Sequence, residues 1–124
     1  MKVAFVYPKK GGIFPRMPVN LSITPPLGIM YLASVCRENN IDVNLIDLTF
    51  DRSWAAYEKR IREQKPDVVG FTALSPFYDD VLTAVSITKK VMPNAKIIIG
   101  GPHATAQPLE VIKNDLIDIV VVGE

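Results

Sequence analysis

Five short runs of β-branched and other apolar residues, at 3–7, 43–46, 68–72, 97–99 and 119–122, recur along the chain with longer segments between them. Each reads as almost continuously apolar, without polar alternation, as strands do when both faces of their sheet are covered. The intervening segments carry helical spacing. Residues 27–39 place Leu27, Met30, Tyr31, Ser34 and Val35 at intervals of three and four, a stripe suited to packing on a sheet. Residues 53–64 form a shorter, more polar helix, and residues 78–92 align Val81, Leu82, Val85, Thr88 and Met92. A fourth helix is expected at 108–114. Strand and helix in strict alternation require crossovers of nearly fixed hand. The expected fold is therefore α/β: a flavodoxin-like, doubly wound, five-stranded parallel sheet with helices on both faces, and 2-1-3-4-5 is the fitting strand order.

The 124 residues suit one domain, read here as residues 1–124, with no repeat or linker. Fourteen basic against thirteen acidic side chains, in no run longer than a pair, give no field that would draw in nucleic acid or an anionic membrane. The apolar run at 3–7 is cut short by Pro8, too early for a signal peptide, and no later run has membrane-spanning length, so a cytoplasmic chain is expected. Cys36, the one cysteine, reads as a reduced thiol packed in the first helix. Two helix starts have a hydroxyl ahead of proline: Thr24 before Pro25-Pro26, and Ser75 before Pro76. Asp79 and Asp80 add negative charge at the amino end of the third helix, where the helix dipole favours it.

Three connections at the carboxyl edge of this sheet are unusual. The first, residues 8–26, far exceeds the ordinary length of a strand-to-helix turn and carries Gly11, Gly12 and apolar Ile13, Phe14, Met17, Val19, Leu21 and Ile23, which marks it as a functional loop. The third strand ends in Thr72-Ala73-Leu74-Ser75, where Ser75 is explained as a helix cap and Thr72 has no such local reason. The fourth ends in Gly100-Gly101-Pro102-His103; two residues without Cβ permit a tight turn or the approach of a ligand to backbone. His103 is open to reading as a ligand contact, a metal ligand or a loop residue, and with no second His or Cys near it metal is the weakest of these. The switch-point rule places a ligand at this edge. No nucleophile–base pair, carboxylate dyad or metal cluster accompanies it, so the chain reads as a binder that does not catalyse alone.

These residues resemble the cobalamin-binding domain at the amino end of B12-dependent radical S-adenosylmethionine proteins. The likeness is carried by Pro25-Pro26-Leu27-Gly28 with Tyr31-Leu32-Ala33, by Pro66-Asp67-Val68-Val69-Gly70-Phe71, by Gly100-Gly101-Pro102-His103-Ala104-Thr105, and by the closing Asp118-Ile119-Val120-Val121-Val122-Gly123-Glu124. Thr72-Ala73-Leu74 looks like the family's serine-any-leucine element, with threonine for serine, and Gly100-Gly101 like its double glycine; in the family both line the slot for the cofactor's nucleotide tail. The resemblance implies cofactor contacts from Tyr7, Pro26, Leu27, Gly28, Thr72, Ala73, Leu74, Ser75, Gly100, Gly101, Pro102 and His103. The aspartate-any-histidine element of the mutase and methionine synthase branch is missing, since residues 8–26 hold no histidine. That departure implies base-off cobalamin without a protein histidine on cobalt. The resemblance further implies a parent chain, continuing past Glu124 into a barrel that binds S-adenosylmethionine and a [4Fe–4S] cluster and performs a methyl transfer or another radical reaction.

Other users of this fold match less well. A phosphoacceptor receiver needs an aspartate where Gly70-Phe71-Thr72 stands, and Gly11-Gly12 alone makes neither a flavin phosphate loop nor the three-glycine dinucleotide turn. A flavodoxin-like nucleotide binder or a ligand-free protein-docking module remains the alternative.

Overall fold

In the computed structural model, which describes residues 1–8, 25–51 and 53–123, β1 (Lys2–Tyr7) pairs in parallel with both β2 (Asp42–Asp47) and β3 (Val68–Thr72). β3 pairs with β4 (Lys96–Gly100) and β4 with β5 (Ile119–Val120), which completes the order β2-β1-β3-β4-β5 expected from the alternation of elements. The crossovers are α1 (Leu27–Glu38), α2 (Trp54–Gln64), α3 (Tyr78–Val91, entered through a tight 3-10 turn at Ser75–Phe77) and the short pair α4 (Pro102–Ala106) and α5 (Pro108–Ile112). β5 is shorter than the apolar run that announces it. The helix expected at 108–114 is found as α5, and a further short helix that was not expected, α4, precedes it; the two are separated at Gln107, since the proline at 108 disfavours helical backbone in the residue before it.

The two faces of the sheet differ. On one, Ala4, Val6, Val69, Phe71, Ile97 and Ile99 pack against Tyr57 and Ile61 of α2, Val81, Ala84 and Val85 of α3, Ala104 of α4 and Val111 of α5. Full burial of each larger side chain contributes about 1.5–3 kcal/mol, so this layer supplies most of the stability. Within it the Tyr57 hydroxyl and Thr88 Oγ1 share a buried hydrogen bond of 2.7 Å, and Thr88 donates to Ala84 O at 2.8 Å. Burial raises the Tyr57 phenol well above its ordinary value, which keeps it protonated at any working pH.

The opposite face is covered by α1 alone among the described residues. Its small contact layer joins Val3 and Val43 to Ala33, flanked by Phe5, Ile41, Val68 and the half-buried Cys36. The stripe expected to pack on the sheet points the other way: Leu27, Met30, Tyr31 and Val35 are exposed, Leu27 and Tyr31 by more than 70%. Ile29 and Ala33 take the inner positions, because the small side chain of Ala33 lets the helix axis approach the strands closely. Thr24 lies outside the described residues. Pro26 occupies the cap position in non-helical backbone, so the prolines precede α1 and do not fill its first turn. The acidic first turn of α3 follows expectation. Ser53 Oγ accepts from Ala56 N at 3.2 Å, and Asp79 and Asp80 stand in the first turn of α3 with Lys89 and Lys90 in its last.

At the entry to β5 the Asp118 carboxylate gathers Lys89 Nζ at 2.9 Å, Lys96 Nζ at 3.0 Å and the Ile97 N–H at 2.9 Å. The backbone hydrogen bond from Ile97 and the two ammonium groups hold it well below the usual carboxylate range. A carboxyl group depressed in the folded state stabilises fully above its unfolded value and loses that contribution as pH falls. Urea unfolding of Asp118→Asn should therefore give a lower midpoint than the parent chain at pH 7, with the gap shrinking from about pH 5 downward. A gap independent of pH would remove the carboxylate's charge from the account.

Candidate functional site

Register brings a row of residues from separate strands onto the sheet face beside α1. Phe5 lies opposite Gly70, Gly70 opposite Ile98, and Ile98 opposite Ile119. Two residues further along, Thr72 is opposite Gly100. Strand parity puts Gly70 and Gly100 on the same face of neighbouring strands, and neither has a side chain to fill it. A cleft of about 430 Å³ results, at the carboxyl end of β3 and β4, within the range of small-molecule sites. Phe5, Gly70, Phe71, Thr72, Ile98, Gly100 and Gly101 line it from the strands and their ends, Gly28, Ile29 and Leu32 from α1, and Val121 and Gly123 from the segment after β5.

The three glycines at its floor serve different ends. A Cβ on Gly70 would come within 2.8 and 2.9 Å of the Phe5 ring, so Gly70 is the notch into which that ring lies. At Gly100 the nearest atom to an added Cβ is the Val121 Cβ at 3.7 Å, an ordinary contact; nothing in the chain's own packing requires glycine there. Gly101 has φ +93°, and a Cβ would meet Thr72 Oγ1 at 2.7 Å and the Ala73 backbone at 3.0 and 3.1 Å. The fold needs glycine at 101, whereas at 100 only the cleft uses it.

Beside the cleft, the ends of β3 and β4 are stitched together. Ala73 N donates to Gly100 O at 2.7 Å and His103 N to Ala73 O at 2.9 Å. Ser75 Oγ and His103 Nδ1 share a hydrogen bond at 2.9 Å, and the His103 ring lies over Tyr78 at 4.1 Å between centroids. Ser75 is therefore not the helix cap that its place before Pro76 suggests: the residue before the turn, Leu74, holds the cap position, and the Ser75 hydroxyl is turned to the histidine. Pro102 opens α4, where its missing N–H costs nothing.

Of the twelve residues expected at the site, Gly28, Thr72, Gly100 and Gly101 line the cleft. Ser75 and His103 form the neighbouring corner. Ala73 is fully buried in the main core, and Leu27 projects into solvent. Tyr7 ends β1 half-buried, its phenol raised by burial and by the Asp47 carboxylate. Pro26, Leu74 and Pro102 are not part of the cleft lining. The long connection expected to serve the site falls on residues 9–24, outside the described residues. Sequence reasoning missed Phe5, Ile29, Leu32, Gly70, Phe71, Ile98, Val121 and Gly123; the alternation of residues 5, 70 and 98 across adjoining strands is the signal that would have found the central three. Among the described residues no group of three or more His, Cys, Asp or Glu side chains stands ready for a metal ion, and no helix is long and apolar enough to cross a membrane.

Comparison with known proteins shows the family of the chain. A methyltransferase of Pyrococcus horikoshii with no assigned substrate is 37% identical over 126 residues, spanning all of this chain and 27% of its own length. The anaerobic magnesium-protoporphyrin IX monomethyl ester cyclase of Rubrivivax gelatinosus is 32% identical over 127 residues, again across the whole chain, and 22% of its own length is covered. A cytidylyl-2-hydroxyethylphosphonate methyltransferase of Streptomyces wedmorensis is 28% identical over 120 residues, 82% of this chain and 22% of its own. The chain thus spans about a quarter of the length of the relatives it matches. The profile of the family described as the B12 binding domain matches residues 20–124, most of the chain, and the chain belongs to that family.

Proposed function

We propose that this domain holds cobalamin by inserting the nucleotide tail of the cofactor into the cleft beside α1, with the corrin ring over the carboxyl edge of the sheet. The observation that carries this reading is the absence of a side chain at Gly100, which leaves the floor open beside the Phe5 ring seated over Gly70, under apolar walls. Such a slot suits a planar heterocycle, because burying its faces against Ile98, Val121 and Leu32 stabilises it at roughly 25 cal/mol per Å². Thr72 supplies a hydroxyl at the floor, able to bond a ring nitrogen.

A tail held in the slot is withdrawn from cobalt, so the cofactor is bound base-off. His103 does not replace it. Its Nδ1 is engaged by Ser75 and its ring is stacked on Tyr78, which fits a residue that shapes the β3–β4 corner and touches the cofactor's edge. Bound cobalamin would supply a cobalt centre that accepts and donates methyl groups; the chain's own part is to grip the tail, exclude water from the slot and fix the ring's position. The parent protein is a B12-dependent radical S-adenosylmethionine enzyme of methyltransferase type, with S-adenosylmethionine and the [4Fe–4S] cluster bound outside residues 1–124, a reading supported by relatives about four times as long.

Titration with hydroxocobalamin followed by gel filtration should give a coloured complex that elutes with the protein. In the reduced Co(II) complex, electron paramagnetic resonance should show no nitrogen splitting from the protein. His103→Ala should leave that spectrum unchanged while affinity falls by about 0.5–1.5 kcal/mol, the scale of one hydrogen bond. Nitrogen splitting lost on the substitution would make His103 the axial ligand.

A further inference from the structure

Resting on the reading that the cleft receives the tail, we propose that it selects the chemical class of the lower base, favouring benzimidazole-type corrinoids over adenine-type ones. The walls are hydrocarbon: Phe5, Ile29, Leu32, Ile98 and Val121. Among the described residues that line it, the one side-chain polar group is the Thr72 hydroxyl. Four backbone groups at the border already have partners: Gly100 O accepts from Ala73 N at 2.7 Å, Gly101 O from Thr105 N at 3.0 Å, Val121 N donates to Ile99 O at 2.8 Å and Gly123 N to Thr105 Oγ1 at 3.1 Å.

A benzimidazole released from cobalt presents one free ring nitrogen, and one hydroxyl satisfies it. Adenine in the same place presents further ring nitrogens and an exocyclic amine, for which the described side chains of the slot offer no second polar group. A buried donor or acceptor left without a partner weakens binding by roughly tenfold or more. The methyl groups of a dimethylated benzimidazole, by contrast, gain from contact with the apolar walls. Discrimination here comes from what the slot lacks, and the penalty falls on the wrong ligand.

Dissociation constants of the chain for three corrinoids test this: hydroxocobalamin, its analogue with adenine as lower base, and cobinamide, which has no nucleotide tail. The expected order is hydroxocobalamin tighter than the adenine analogue by about tenfold or more, with cobinamide also weaker than hydroxocobalamin. Equal affinity for the two tailed forms, both tighter than cobinamide, would overturn the selectivity and leave the tail slot standing. Equal affinity for all three would overturn both, as would no binding at all. Val121→Asn, at a position 46% exposed where folding tolerates a polar side chain, offers the adenine amine a partner and should narrow the ratio to about threefold or less. A ratio unchanged by this variant would place the discrimination outside the slot and overturn the proposal.

Discussion

Gly100→Val should cost this domain its cobalamin affinity, by about 100-fold or more, while leaving its thermal unfolding within about 1 kcal/mol of the parent chain. Position 100 ends β4 in ordinary extended backbone, where a β-branched residue is at home, and the atom nearest an added Cβ is 3.7 Å away. The two methyl groups would stand in the cleft over the floor that β3 and β4 leave open. Circular dichroism melting and a corrinoid titration on the same sample read the two effects separately. Retained affinity in a folded variant would move the tail out of this cleft.

Gly101→Ala should do the reverse. The added Cβ faces Thr72 Oγ1 and the Ala73 backbone at 2.7–3.1 Å in a backbone with φ +93°. Left-handed strain costs an L-residue about 1–2 kcal/mol, and overlap with rigid main chain adds about 1–3. A loss of roughly 2–5 kcal/mol is expected, equal to a drop of about 10 °C or more in melting temperature for a domain of this size. On the proposed function, glycines adjacent in sequence thus answer to different demands, one to the ligand and one to the corner where Ala73 N meets Gly100 O and His103 N meets Ala73 O. A melting temperature for Gly101→Ala within a few degrees of the parent would show that the corner relaxes.

The strands were legible because β-branched runs leave few alternatives; 2-1-3-4-5 fitted them, but alternation and crossover hand do not by themselves establish an order. Gly100-Gly101 stood out for its lack of side chains at a strand end. Helix α1 was misread for a physical reason: Leu27, Ile29, Met30, Tyr31, Leu32, Ala33, Val35 and Cys36 put apolar groups around most of its circumference, so two overlapping stripes competed. The sheet took the side with Ile29 and Ala33, and periodicity alone carries no information about how near the strands come. Gly70 was hidden inside an ordinary strand run, and its importance comes from Phe5 on one neighbour and Ile98 on the other, residues 65 and 28 positions away in sequence. Ser75 and His103 are likewise 28 positions apart, and the turn that joins them is fixed by hydrogen bonds to backbone, which any residue type supplies.

The clasp on Asp118 bears on how the domain breathes. β5 holds two residues and, among the described residues, pairs on one side, so its amides are expected to be among the least protected of the sheet, and the carboxylate that ties Lys89, Lys96 and the Ile97 N–H should delay its opening. Val121 and Gly123, which close one side of the cleft, follow directly on that strand. Every excursion that releases β5 removes that side of the cleft with it. Amide exchange at residues 119–123 should therefore quicken in Asp118→Asn ahead of the rest of the sheet, and corrinoid off-rates should rise in step, although Asp118 is not among the cleft's lining residues.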